Sequence, residues 1–79
     1  MGEKEVFNKK FGQFVKQMRV NRNWKQVELA DLLNNNFQNI SRLERGEITP
    51  TLYWSNKLAK AFSLSLSELI ISFEKFEMK

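Results

Sequence analysis

Apolar residues recur at helical spacing along most of the chain, and the recurrence breaks at residues suited to turns. Phe7, Phe11, Phe14 or Val15, and Met18 predict a first helix from about residue 7 to 22, ended by Asn23. From Gln26 to Leu33, apolar Val27, Leu29, Ala30, Leu32 and Leu33 surround Glu28 and Asp31, which suits a short helix largely buried on one side. Asn34, Asn35 and Asn36 then interrupt the pattern; asparagine has little helix preference and tolerates the left-handed backbone of a sharp reversal, so a turn is expected. Phe37, Ile40 and Leu43 recur every three residues and leave Gln38, Asn39, Ser41, Arg42 and Arg45 on the remaining face of a third helix, with Gly46 as its C-terminal stop.

The second half reads the same way. Thr51 after Pro50 is a cap for a fourth helix, with Leu52, Leu58, Ala59 and Phe62 as its inward stripe and an end near Ser63. Ser65, Leu66, Ser67 and Glu68 form a capping box, and Leu64 is placed to staple Leu69, so a fifth helix starts there. Five helices without strand-like alternation, repeat or linker predict one compact all-α domain over residues 1–79.

Composition narrows the function. A chain of 79 residues is near the size at which a single core gives modest stability, so association would help it. With 42% apolar residues and seven Phe, it has the material for a core and does not read as disordered. It has no Cys and no His, which removes disulfides, thiolate metal sites, the commonest metal ligand and the commonest general base. No carboxylate pair has an evident proton-transfer role and no Gly-rich phosphate loop occurs, so neither catalysis, nor a metal, nor a cofactor is expected. No apolar run approaches the ~20 residues of a membrane span, and the opening MGEKEVFNKK lacks a signal peptide's apolar core, so a soluble cytoplasmic protein is expected. The net charge of +4 is uneven: up to residue 24, Lys4, Lys9, Lys10, Lys16, Arg19 and Arg22 face only Glu3 and Glu5, and the remainder is balanced. Such a segment either attracts phosphates or forms a solvated helix face.

The two short helices and their turn, residues 26–45, resemble the helix-turn-helix of the XRE type, the family of phage repressors, Cro proteins and many small bacterial regulators. The resemblance rests on Gln26, the Leu29-Ala30 pair, Leu33, Ile40-Ser41, and Glu44 followed by Gly46. It continues through Thr49-Pro50-Thr51-Leu52, Lys57-Leu58-Ala59-Lys60-Ala61 and Leu64 to Leu69, covering roughly residues 11 to 70. It implies a compact five-helix bundle of the lambda-repressor-like DNA-binding type. It also implies that Arg19 pairs with Glu44, fixing the first helix against the third, and that Gln26 contacts a phosphate.

The major groove admits an α-helix and displays a distinct donor and acceptor pattern for each base pair. Gln38 and Asn39 have amides suited to adenine, and Arg42, one turn later, suits guanine O6 and N7, each pair worth ~1 to 3 kcal/mol of discrimination. The residues that usually meet bases in the family align with Phe37, Gln38, Asn39 and Arg42. Lys25 and Arg45 are further phosphate candidates, and Asn36 combines a cap of the third helix with a phosphate contact. The chain departs from the family at three places. Trp24 replaces an aliphatic bridge and is expected in the core, where its indole N–H needs a partner. Lys25 stands where Ser or Thr usually caps the second helix, so that helix is expected to begin less firmly. Asn35 replaces a packed apolar residue in the turn, and Phe37 either fills the resulting gap or faces a thymine methyl.

The expected function is a sequence-specific regulator that binds double-stranded DNA, an inverted-repeat operator, as a homodimer, in the manner of a phage repressor or a restriction-modification controller. The tail, residues 66–77, is the candidate interface: Leu66, Leu69, Ile70, Phe73 and Phe76 follow helical spacing, while Ile71 and Met78 widen the apolar surface beyond one core stripe. Leu66, Ile70, Phe73 and Phe76 are the residues assigned to pairing. The bland alternative is that this helix only seals its own core. An antitoxin, or a protein-interaction module that keeps the fold, is the competing function.

Overall fold

The computed structural model describes residues 2–78 and consists of α1 (Glu3–Asn21), α2 (Gln26–Leu32), α3 (Phe37–Glu44), α4 (Leu52–Ala61) and α5 (Leu66–Glu77), with no strand among the described residues. The chain divides into two units, one reaching to Thr49 and the other starting at Pro50. No helix is long and apolar enough to cross a membrane among the described residues.

In the first unit, α1 starts four residues before the expected position. Its first turn is polar, Glu3 and Glu5 complementing the positive end of the helix dipole, so apolar periodicity does not mark it. α2 has only seven residues, too few to be stable alone, and is held by the burial of Leu29, Ala30 and Leu33 at ~1.5 to 3 kcal/mol for each large side chain. Val27 and Leu32, expected among its buried residues, are exposed instead, because so short a helix covers one narrow stripe. Lys25 offers no acceptor at the N-cap, as anticipated, but Glu28 supplies half of a capping box by accepting the Lys25 backbone N–H at 2.8 Å. α3 packs on both α1 and α2, burying Ile40 and Leu43, while α1 buries Phe11, Phe14 and Val15. Trp24, expected in the core, is half-buried, with the Arg22 guanidinium 5.7 Å from its ring centroid.

Four helices end in the same device, a left-handed residue just beyond the last turn whose neighbour's N–H reaches back to close it. Asn23 (φ 59), Asn34 (φ 55), Gly46 (φ 76) and Ser63 (φ 61) take that position after α1, α2, α3 and α4. At Asn34 the reversal is closed by Asn35 N–H to the Ala30 carbonyl at 2.9 Å, and at Gly46 by Glu47 N–H to the Arg42 carbonyl at 2.9 Å.

The seat of α3 on α1 depends on Gly12, in the middle of α1. A Cβ there would stand 2.4 Å from the Leu43 carbonyl oxygen and 2.6 Å from that of Glu44, so only glycine lets the two backbones approach this closely. One turn earlier, Lys9 backbone lies where a Cβ on Gly46 would fall, at 2.8 Å. Asn8 and Thr49 add a reciprocal bond: the Asn8 amide donates to Thr49 Oγ1 at 2.8 Å and that hydroxyl donates to Asn8 Oδ1 at 3.1 Å.

Arg19 and Glu44 are both buried and meet in a forked pair, Nε donating to Oε2 at 2.7 Å and Nη2 to Oε1 at 3.1 Å, as the resemblance implies. The third donor, Nη1, reaches the Trp24 backbone carbonyl at 2.6 Å, and the Gln26 amide donates to Glu44 Oε1 at 3.0 Å. A carboxylate at the C-terminal end of α3 would oppose the helix dipole by itself; the guanidinium removes that conflict.

In the second unit α4 packs on α5. Thr51 caps α4 by accepting Trp54 N–H at 3.0 Å, and Ser65 and Glu68 form the anticipated capping box at 3.1 and 2.8 Å. The buried stripe of α4 is Ser55, Leu58, Ala59 and, just past its end, Phe62; Leu52, assigned inward from the sequence, is 74% exposed because it lies at the edge of that stripe in the first turn. Phe73, assigned to an association surface, is only 4% exposed and belongs with Leu69 in the core, whereas Leu66 and Phe76 are half-buried.

Gly12→Ala is expected to destabilise the chain by up to ~2 kcal/mol net, overpacking against backbone (~1 to 3 kcal/mol) outweighing the ~1 kcal/mol that alanine gains in a helix. Thermal unfolding measures it, and a Tm at or above the parent's would show that α1 has room to shift. Arg19→Ala is expected to cost ~3 to 5 kcal/mol by leaving Glu44 unpaired, while Arg19→Met with Glu44→Leu recovers most of the loss. Equal urea midpoints for Arg19→Ala and the parent would rule out a structural role for the pair.

Candidate nucleic-acid interface

At 3.6 residues per turn, the buried side of α3 is Ile40, Leu43 and Glu44, and the opposite side is centred on Gln38, Arg42 and Arg45, all exposed. Asn39 and Phe37 lie on the two flanks of that outer face, and Ser41 is half-buried beside it. Three of the sequence-selected reader and phosphate candidates, Gln38, Arg42 and Arg45, are thus brought onto one solvent-facing side, with Phe37 and Asn39 at its flanks, by a helix whose other side is fixed in the core.

Phe37 is 49% exposed, so it does not fill the place left by Asn35. Asn35 instead turns its amide to polar partners: Oδ1 accepts the Asn36 backbone N–H at 2.8 Å and the Asn39 Nδ2 at 2.8 Å. Asn36 caps α3 as expected, its Oδ1 accepting Asn39 N–H at 2.9 Å. Asn39 is therefore tied at its backbone and at one of its two side-chain N–H groups.

Among the phosphate candidates, Lys25 is exposed at the start of α2, and Gln26 is half-buried with Nε2 donating to Glu44. Arg45 is exposed but engaged: Nε donates to Glu47 Oε2 at 2.6 Å, Nη2 to Glu47 Oε1 at 3.2 Å, and Nη1 to Ser41 Oγ. The hydrogen bond with Glu47 raises the Arg45 pKa and, from the other side, holds the Glu47 carboxyl below its usual value. These three bonds leave two of the five guanidinium N–H donors for a further partner. Lys4, Lys9, Lys10 and Lys16 are all exposed on α1.

The sequence reading passed over Gly12 and Glu47, and took Asn35 only as the loss of a packed apolar residue, not as a partner of Asn39. A glycine inside an apolar helical pattern signals close backbone approach, and the four-residue spacing of Asn35 and Asn39 permits a bond across one turn. Glu47 carries a weaker signal, a carboxylate two residues beyond an arginine in a segment with no regular period. Among the described residues, no group of three or more His, Cys, Asp or Glu side chains is placed to hold a metal ion.

A helix-turn-helix family model matches residues 15–69. No curated protein matches the chain significantly. Among solved structures, the restriction-modification controller protein C.AhdI from Aeromonas hydrophila superposes with a TM-score of 0.78 at 28% identity, covering 86% of this chain and 99% of that one. A hypothetical transcription factor, NHTF, from Neisseria gives 0.77 at 21% identity over 100% of this chain and 92% of that one. The clp gene regulator ClgR from Corynebacterium glutamicum gives 0.76 at 18% identity, with 90% and 77% covered. With the matched segment running from the middle of α1 into α5, the chain belongs to the XRE-type helix-turn-helix family of DNA-binding transcriptional regulators.

Proposed function

We propose that the chain binds an inverted-repeat operator as a homodimer and regulates transcription by occupying it, without catalysis, in the manner of a restriction-modification controller or a phage repressor. The observation that carries this reading is the outer face of α3, where exposed Gln38 and Arg42 stand opposite a fully buried apolar side. In the groove, Gln38 and Asn39 meet adenine edges, Arg42 meets guanine O6 and N7, and Phe37, half exposed at the first turn, lies against a thymine methyl. Lys25, Gln26, Asn36 and Arg45 hold phosphates that set the register of the helix. The similarity to the controller protein along nearly its whole length supports the controller reading.

The two units act together as one functional domain, the first carrying the reading helix and the second the pairing element. On α5 the exposed apolar residues proposed to pair are Ile70 (40% exposed) and Ile71 (51%), with Met78 beyond the last turn and half-buried Leu66 and Phe76 at the margin. A twofold dimer of this kind calls for two operator half-sites about one DNA turn apart, ~34 Å.

Selection from random duplex DNA is expected to enrich an inverted repeat. Enrichment of no sequence would instead favour an antitoxin or interaction module that keeps this fold. Arg42→Ala is expected to lower discrimination at one operator position by ~5- to 150-fold, with a smaller loss on random DNA; uniform weakening across sequences would remove Arg42 from the base readers. Ile70→Asp combined with Ile71→Asp is expected to sediment as a folded monomer at concentrations where the parent is a dimer, and an unchanged dimer mass would place the interface elsewhere.

A further inference from the structure

The turn from Asn34 to Asn36 does more than reverse the chain. Asn34 adopts the left-handed backbone and Asn36 caps α3, but Asn35 bridges two donors with one oxygen, the Asn36 backbone N–H and the Asn39 side-chain amide, each at 2.8 Å. A backbone N–H only donates, so it determines which end of the Asn35 amide faces it. The Asn35 carbonyl only accepts, so it determines in turn which end of the Asn39 amide faces Asn35. A lone asparagine can rotate its amide by half a turn and exchange donor for acceptor; here that exchange costs a hydrogen bond at each link of a series anchored on backbone.

The edge that remains has a definite polarity. With one Nδ2 proton held by Asn35, Asn39 keeps its Oδ1 and its second N–H, one acceptor and one donor in a set order. The adenine edge in the major groove offers N7 as acceptor and N6 as donor, so it requires only that pair. We propose that Asn35 is a positioning residue for base selection, which holds the Asn39 amide ready for adenine without itself touching DNA. The inference rests on the reading of Asn39 as a base reader. Ordering the amide before binding also lessens the rotamer entropy lost on binding.

The test is a double-mutant cycle on discrimination with the full chain. Affinities of the parent, Asn35→Ala, Asn35→Asp, Asn39→Ala and Asn35→Ala/Asn39→Ala are measured for a selected operator duplex and for duplexes with each of its adenines replaced in turn. Asn39→Ala is expected to lose discrimination at one adenine, and Asn35→Ala to reduce it at the same adenine by roughly 3- to 10-fold, part of what one bidentate pair carries. Asn35→Ala should change nothing further when Asn39 is already alanine. Asn35→Asp keeps an acceptor oxygen for both donors, so it should retain the ratio while its charge lowers affinity for all sequences alike. Because each readout is a ratio, a general loss of stability does not imitate the effect.

An undiminished ratio in Asn35→Ala, or the same reduction in the Asn39→Ala background, overturns the proposal. In the DNA-free protein, the Asn39 side-chain amide resonances should move in Asn35→Ala and stay close to the parent's in Asn35→Asp; no movement in Asn35→Ala also overturns it. If Asn39→Ala discriminates like the parent at every adenine while the amide shift is present, the positioning bond stands and the base-reading role of Asn39 is what fails, taking the selection role of Asn35 with it.

Discussion

The Arg19–Glu44 pair joins three parts of the chain that must agree before α3 can present a surface. Its guanidinium leaves α1, holds the backbone carbonyl of Trp24 in the connection to α2, and grips the carboxylate that ends α3, while Gln26 at the start of α2 takes the same carboxylate. A buried pair of this kind contributes little net stability, because desolvation offsets most of the Coulombic gain, yet leaving one member unpaired is costly. Its effect is therefore on geometry: the arrangement in which all four groups are satisfied is the one in which α3 turns Gln38 and Arg42 outward.

Gly12 sets the distance for that arrangement. The pair restrains direction, whereas the absence of a side chain at Gly12 lets the carbonyls of Leu43 and Glu44 come within what would be overlap for any other residue. Glycine inside a helix costs about 1 kcal/mol relative to alanine, and the close packing of α1 on α3 offsets it. The bond between Asn8 and Thr49 secures the segment after α3 to the same helix. The third helix and its scaffold are thus joined by backbone approach, a forked ion pair and one amide-hydroxyl exchange.

The turn before α3 solves a different problem. It lacks the apolar residue that usually packs there, and Phe37 does not replace it. Amide bonding takes over the function of packing: Asn34 by its backbone, Asn36 as a cap and Asn35 as a bridge to Asn39. A turn ordered by hydrogen bonds costs little buried area and leaves its polar groups beside the exposed face of α3. The same economy explains the engagement of Arg45 by Glu47, since an exposed guanidinium paired locally is ordered without being buried.

The sequence by itself determined the number and order of helices, because period, caps and left-handed stops are local properties carried by neighbouring residues. The Ser65–Glu68 box, the Thr51 cap, Gly46 and the asparagines all acted where their chemistry placed them. It also determined which residues of α3 face outward, since Ile40 and Leu43 set the phase of a helix only eight residues long. The first turn of α1 was missed because it has no apolar phase, and Leu52, Val27 and Leu32 were placed inward because hydrophobicity alone does not say which apolar side is covered. Only the tertiary structure decided that Phe73 is core while Ile70 and Ile71 are surface, that Gly12 is a contact point, and that Asn35 holds Asn39. Those facts depend on which backbone lies opposite and on the direction of individual donors and acceptors, and these exist only once the helices are packed.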